Sequence, residues 1–225
     1  EPDRNYYGTI TFARSTNEAI TVFMKSSTPL YIDKIMPSFK FTNKSEVLKK
    51  DVSFHPEPKN FDEKTREFYD KYFIDNEKVD FGIFEPTFPF SADKLSQLEE
   101  MFDYNFPVTL TYNNCSLPFK TEAMNTAKKL GKVVEYTLYA TDIVNGKEKD
   151  ITLDILEGKY DEYLDSLARG FIEHDNPVLF RLNNEMNGEW VAYSSHSVGK
   201  DTDLFIDCWK YIYDRFEAHG VNNLI

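Results

Sequence analysis

Cysteine, histidine, glycine and long apolar runs are all scarce in this chain of 225 residues. Two cysteines, Cys115 and Cys208, cannot build a disulfide framework. The sequence leaves a single bridge between them open. Cys208 falls on the apolar face of a predicted helix and reads as a buried thiol, whereas Cys115 falls in a polar loop. The four histidines, His55, His174, His196 and His219, are scattered without metal-ligand spacing. No metal and no cofactor is therefore expected. Gly82 stands alone after the first predicted strand of the α/β region, which disfavours a dinucleotide fold with its glycine-rich phosphate loop. No apolar run is long enough to span a bilayer, so membrane insertion is not expected. A formal net charge of -12 makes nucleic acid and anionic membranes poor partners, and a neutral ligand a natural one. The chain opens on Glu1, with neither Met nor a signal peptide, which reads as processing or trimming of whatever preceded it.

What the chain does have is aromatic surface: 19 Phe and 14 Tyr, most of it destined for a core. Residues 1–76 form an accessory region of unassigned role. Tyr6–Phe12, Ala19–Met24 and Leu30–Ile35 are short strand candidates, rich in Thr, Ile, Val and aromatics. A loop-like His55-Pro-Glu-Pro58 follows, then a helix over Phe61–Phe73.

From residue 77 strands and helices alternate. Val79–Phe84, Pro107–Thr111, Val133–Tyr139 and Pro177–Arg181 read as strands, and Asn223–Ile225 begins a fifth. Between them lie three kinds of helical signal. Ser91 reads as the N-cap of a helix with Leu95, Leu98, Met101 and Phe102 on one face. Phe119–Leu130 ends at Gly131. Tyr160–Phe171 shows the spacing i, i+3, i+4, i+7, and a last helix, capped by Asp201 or Thr202, turns Phe205, Cys208, Trp209, Ile212, Tyr213 and Phe216 to the core before Gly220. Repeated βα units imply a parallel sheet, doubly wound or barrel. Strands starting near 79, 107, 133, 177 and 222 fit a (β/α)8 barrel, at about 31 residues per unit, better than a doubly wound sheet. The fold class is thus α/β of TIM-barrel type, with only the first four to five βα units present.

The chemistry concentrates in Arg181-Leu-Asn-Asn-Glu-Met-Asn-Gly-Glu-Trp190, just past the apolar run Pro177–Phe180. The C-terminal end of a parallel strand is where such folds place reactive groups. A carboxyl flanked by amides and an indole suits sugar chemistry, with the acid moving a proton, the amides bonding hydroxyls and the indole stacking on a pyranose. Each residue has a second reading. Asn183 and Asn184 are sugar ligands or helix caps. Trp190 is a stacking platform or a core indole four residues from Met186. Arg181 orients carboxylates or forms a structural ion pair. Tyr112, Asn113 and Asn114 end the second strand and Tyr139 ends the third, so they lie on the same rim as subsite candidates. Tyr193 and His196 follow on position alone, and Glu189 reads as solvated.

Gly158-Lys-Tyr-Asp-Glu-Tyr163, Pro177–Arg181, Asn184–Trp190 and Phe205–Ile225 together resemble glycoside hydrolase family 26, whose members include endo-β-mannanases, some β-glucanases and xylanases. The resemblance covers residues 79–225 and is most specific over 158–190. It implies a (β/α)8 barrel and a retaining mechanism with two glutamates. The acid/base lies in a His-Glu-Met-Asn-Gly-x-Trp motif after strand four, and the nucleophile lies after strand seven. Glu185 is then the acid/base, in a position that the strand count reaches independently. Two departures stand out. Asn184 replaces the motif's His, which loosens mannan specificity, and the chain stops at its fifth strand, before any nucleophile.

The resemblance implies a retaining endo-glycosidase acting on β-1,4-mannan or a related β-glycan, secreted or at the cell surface, with a polysaccharide or oligosaccharide as partner. The alternative is a barrel rim that binds carbohydrate without cleaving it. Half a barrel would expose an unpaired edge, so the chain alone is expected to be unstable or to associate through that edge.

Overall fold

The computed structural model describes residues 60–75, 78–88, 90–194 and 202–225. The three early strand candidates, the His55–Pro58 loop, Asp201 and His196 lie outside the described residues. At the centre is a parallel sheet of β1 (Val108–Asn114), β2 (Val133–Tyr139) and β5 (Val178–Leu182), in that order. Single parallel bridges extend it on both sides, Ile83 to Thr109 and Val178 to Leu224. The order along the sheet is therefore the order along the chain, as in the first five strands of a barrel.

The strands form where β-branched and aromatic residues alternate in environment. In β1 every second residue is buried: Thr109, Thr111 and Asn113 face one way, Leu110 and Tyr112 the other. In β2 Val134, Tyr136 and Leu138 are fully buried. These buried positions face helices α3 (Thr121–Lys129), α5 (Asp161–His174) and α6 (Thr202–Ala218), each of which turns one apolar stripe inward. Phe171 of α5 is the hub. Its ring meets Phe119, Tyr136, Phe180 and Phe216 at centroid distances of 5.2 to 6.0 Å. Gly170 beside it has no room for a side chain, since an added Cβ would stand 2.6 Å from the Phe119 ring. On α6, Leu204 and Tyr211 join Cys208, Ile212 and Phe216 in the core.

The remaining elements are α1 (Glu63–Tyr69), which runs into a π-helical turn (Asp70–Ile74), α2 (Asp93–Phe102), a hairpin of β3 (Thr141–Val144) and β4 (Lys147–Asp150), and the short α4 (Thr152–Leu156). Helix α1 is capped by Asp62, whose Oδ1 accepts from Thr65 N at 2.7 Å. It docks at the end of the sheet where the strands begin. Asp62 N donates to Asn222 O, and Lys64 reaches Asp175 at 2.6 Å, a carboxylate that also meets Lys128.

Several expectations are corrected. Val79–Phe84 is not a full strand among the described residues. It pairs only at Ile83, and Val79 and Phe81 stand exposed along the edge. The N-cap of α2 is Ala92, whose methyl group cannot cap, and Ser91 stands one residue earlier, its Oγ accepting from Asp93 N at 3.5 Å. Met101 and Phe102 of that helix are exposed, and Leu95 alone is buried. Cys115 is buried, not solvated with its loop; its thiol points at Tyr139 O, 3.7 Å away, and burial pushes its pKa up to about 12. Cys115 and Cys208 are both free thiols. The hairpin was unforeseen, although Asn145-Gly146, with φ of 53° and 73°, is the signature of its two-residue turn.

Candidate active site

Successive strand residues face opposite sides, so the face turned away from the helices carries Leu110, Glu135 and Leu179 in one row and Tyr112, Thr137 and Arg181 in the next. Arg181 ties the two rows together. Its Nη1 pairs with Glu135 at 2.9 Å, its Nε donates to Thr137 Oγ1 at 2.9 Å, and its guanidinium lies 6.0 Å over the Tyr112 ring. Glu135 and Thr137 were not singled out in the sequence, although a polar residue at every second position of a buried strand, Glu135-x-Thr137-x-Tyr139, was the available signal.

At the C-terminal end of the sheet the aromatic rings form a ladder. Tyr112 stacks on Tyr139 at 5.5 Å, Tyr139 stacks on Tyr193 at 5.6 Å, and Phe84 meets Tyr112 edge-on at 5.3 Å. Burial raises the phenol pKa of both Tyr139 and Tyr193, which keeps them protonated hydrogen-bond donors.

Past β5 the chain makes a turn with two left-handed residues, Asn183 (φ 58°) and Glu185 (φ 47°), conformations that cost free energy unless held by their surroundings. Asn183 is held first. Its N–H donates to Leu138 O at 2.8 Å and its side-chain Oδ1 accepts from Ala140 N at 2.8 Å, so it extends the β2–β5 ladder by one rung. No helix begins between Asn183 and Ser194, and neither Asn183 nor Asn184 is a helix cap. Asn184 is half-buried and accepts from the Tyr193 hydroxyl through both its carbonyl (2.9 Å) and its Oδ1 (2.7 Å). Glu185 is exposed. Its Oε2 accepts from Trp190 Nε1 at 3.0 Å, and its carbonyl accepts from Gly188 N at 2.7 Å. Trp190 is 72% exposed, so it is no core indole. Its ring crosses Gly188, where an added Cβ would lie 2.5 Å from the ring. Glu189 is exposed, as expected.

The structure brings Arg181, Tyr112, Tyr139, Asn184, Glu185, Trp190 and Tyr193 to one end of the sheet. It does not bring Asn113 there. That residue is 2% exposed and faces the helix layer, where its Nδ2 donates to Pro118 O at 3.2 Å and to the Tyr136 hydroxyl. Strand parity decides this, since Tyr112 and Asn113 cannot share a face. Among the described residues no group of His, Cys, Asp and Glu is arranged to hold a metal ion. The arrangement offers an exposed carboxylate steadied by an indole, on a rim of stacked phenols, which suits proton transfer beside a neutral ring-shaped ligand.

A family model described as "Glycosyl hydrolase family 26" matches residues 120–225. Endoglucanase H of Acetivibrio thermocellus is 31% identical over 77 residues, which is 32% of this chain and 8% of that protein. The fold is similar to that of a Podospora anserina GH26-CBM35 beta-(1,4)-mannanase, with a TM-score of 0.54 and 17% identity over 78% of this chain and 45% of that one. The chain thus spans less than half of either relative. At that identity the likeness carries the fold, a partial barrel. The motif, the fourth-strand position and the family match agree, and residues 120–225 are similar to glycosyl hydrolase family 26.

Proposed function

We propose that this segment supplies the acid/base half of a retaining glycosidase that cleaves β-1,4-mannan or a related β-glycan. The observation that carries the reading is the place of Glu185. Its carboxylate sits exposed at the C-terminal end of β5, the fourth strand once the Ile83 bridge is counted, on a turn pinned to the sheet by Asn183. As acid, Glu185 protonates the glycosidic oxygen; as base, it then deprotonates water. Trp190 offers an open indole face to the apolar side of a pyranose, and Tyr112, Tyr139 and Asn184 line the approach. Arg181, neutralised by Glu135, leaves a site without strong net charge for a neutral sugar. A retaining reaction also needs a second carboxyl about 5–5.5 Å from the first. The polymer substrate places the enzyme's work outside the cell or at its surface.

The test is reducing-sugar release from β-mannan and from mixed-linkage β-glucan by the full-length polypeptide and its Glu185→Gln variant. The expected result is activity on one polymer that falls by about 10²–10⁴-fold in the variant. Retardation in a polymer-containing gel without release by the parent would instead support a carbohydrate-binding role.

A further inference from the structure

The turn that presents Glu185 has left-handed residues on both sides of Asn184, and left-handed non-glycine residues persist only where their surroundings over-determine them. The Asn183 side is secured by the sheet. On the other side Glu185 is held by Gly188 N at its carbonyl and by Trp190 Nε1 at its carboxylate, and Asn184 between the two left-handed residues meets the hydroxyl of Tyr193, nine residues along. That hydroxyl bridges both oxygens of Asn184, backbone and side chain, and so constrains the peptide that leads into Glu185 as well as the amide rotamer. Tyr193 is itself immobilised. It is 5% exposed, and its ring lies on Tyr139, which lies on Tyr112. A rigid line therefore runs from β1 through three rings and one hydroxyl to the residue before the proton donor.

We infer that Tyr193 is a positioning residue for the acid step: its hydroxyl holds Asn184, and through it the left-handed turn that aims the Glu185 carboxyl. This inference rests on the glycosidase reading above. It concerns proton delivery to the leaving group and not sugar binding, and that sets the test. A group that acts only through the acid matters when the leaving group needs a proton and is dispensable when it does not.

The experiment uses the full-length polypeptide with Tyr193→Phe, Asn184→Ala and the double variant. Values of kcat/KM are measured on the polymer and on an aryl β-glycoside whose phenol leaves unprotonated. Tyr193→Phe keeps the ring stack. It is expected to lower kcat/KM on the polymer by about 10- to 100-fold and on the aryl glycoside by less than about threefold, a split expected of assistance by a general acid. In the Asn184→Ala background, which removes Oδ1 but keeps the carbonyl, the second substitution is expected to cost less than it does in the parent, because the two residues share one of the two bonds. Equal losses on both substrates, losses that multiply in the double variant, or an unchanged Tyr193→Phe would each overturn the inference while leaving Glu185 in place. An inactive parent would overturn the glycosidase reading and this inference together. Should Tyr193→Phe unfold, Asn184→Ala removes the Oδ1 bond from its other side and leaves the carbonyl bond in place. The polymer-specific loss is then expected there, and its absence counts against the proposal.

Discussion

The two faces of one parallel sheet are built on opposite terms. The helix-side face is closed: Val134, Tyr136, Leu138 and Val178 are fully buried, and Phe171 touches four other rings. The opposite face is half-open and polar, with Glu135, Thr137 and Arg181 linked by directed bonds and Tyr112, Tyr139 and Tyr193 stacked toward the rim. Stability lives on the first face because apolar burial is additive and non-directional. Chemistry lives on the second because hydrogen bonds and ion pairs fix where atoms point while adding little net stability. The same strands serve both, since residues two apart share a face and neighbours do not.

The largest effect expected from breaking this division is on the closed face. Phe171→Ala should cost about 3–5 kcal/mol, because the surrounding rings cannot collapse into the space left behind. A urea titration followed by fluorescence checks it, and a loss below about 1 kcal/mol would deny Phe171 its central role.

Next comes a buried polar group on the closed side. His174 in the last turn of α5 is 4% exposed, and neither ring nitrogen has a hydrogen-bond partner among the described residues. Burial, reinforced by the charge of Lys128 and opposed by that of Asp175, pushes its pKa down to about 4, below the value of about 6.5 expected in an unfolded chain. The folded state thus keeps the ring neutral while the unfolded state takes up a proton. This stabilising contribution is complete above about pH 6.5 and is lost as pH falls through about 4, at most about 3 kcal/mol. His174→Leu should flatten the acid limb of stability against pH. Parent and variant that lose stability equally between pH 7 and 4 would rule this out.

The smallest effects sharpen the comparison most. Gly170 and Gly188 each lie against an aromatic ring, and an alanine Cβ would stand 2.6 Å from Phe119 in one case and 2.5 Å from Trp190 in the other. Phe119 is held between Tyr136 and Phe171, so Gly170→Ala should cost about 1–3 kcal/mol, offset only in part by about 1 kcal/mol of helix propensity. Trp190 is exposed and can swing away, so Gly188→Ala should move stability by less than about 0.5 kcal/mol. It should nevertheless lower polymer cleavage, because the swing breaks the bond from Trp190 to Glu185. Thermal unfolding and activity measured on both variants give the contrast, and a matched pair of melting-temperature losses would refute it.

Much of this was legible in the residues. Val133–Tyr139 has the same bounds in sequence and structure, because its aromatic and β-branched residues are bracketed by Gly131 and by the break after Tyr139. Helices α5 and α6 follow their 3.6-residue stripes. The site motif declared itself through its density of amides and carboxyls past an apolar run. Other features were not legible. Asn113 was placed on the rim by nearness in sequence, and strand parity sends it to the helices. The full strand expected over Val79–Phe84 shrinks to one bridge, since its pairing depends on a neighbour and not on its own composition.

Local pattern by itself determined the βα order, the partial barrel and the strand-end position of the Arg181–Trp190 stretch, because periodicity and strand-end position are properties of contiguous residues, and the family resemblance singled out Glu185 within it as the proposed proton donor. Only the tertiary structure decided that Arg181 answers to Glu135 and Thr137, that Tyr193 grips Asn184, and that the His174 ring is buried with no hydrogen-bond partner among the described residues. Those pairs join residues brought together by strand register and helix packing, which no spacing along the chain encodes.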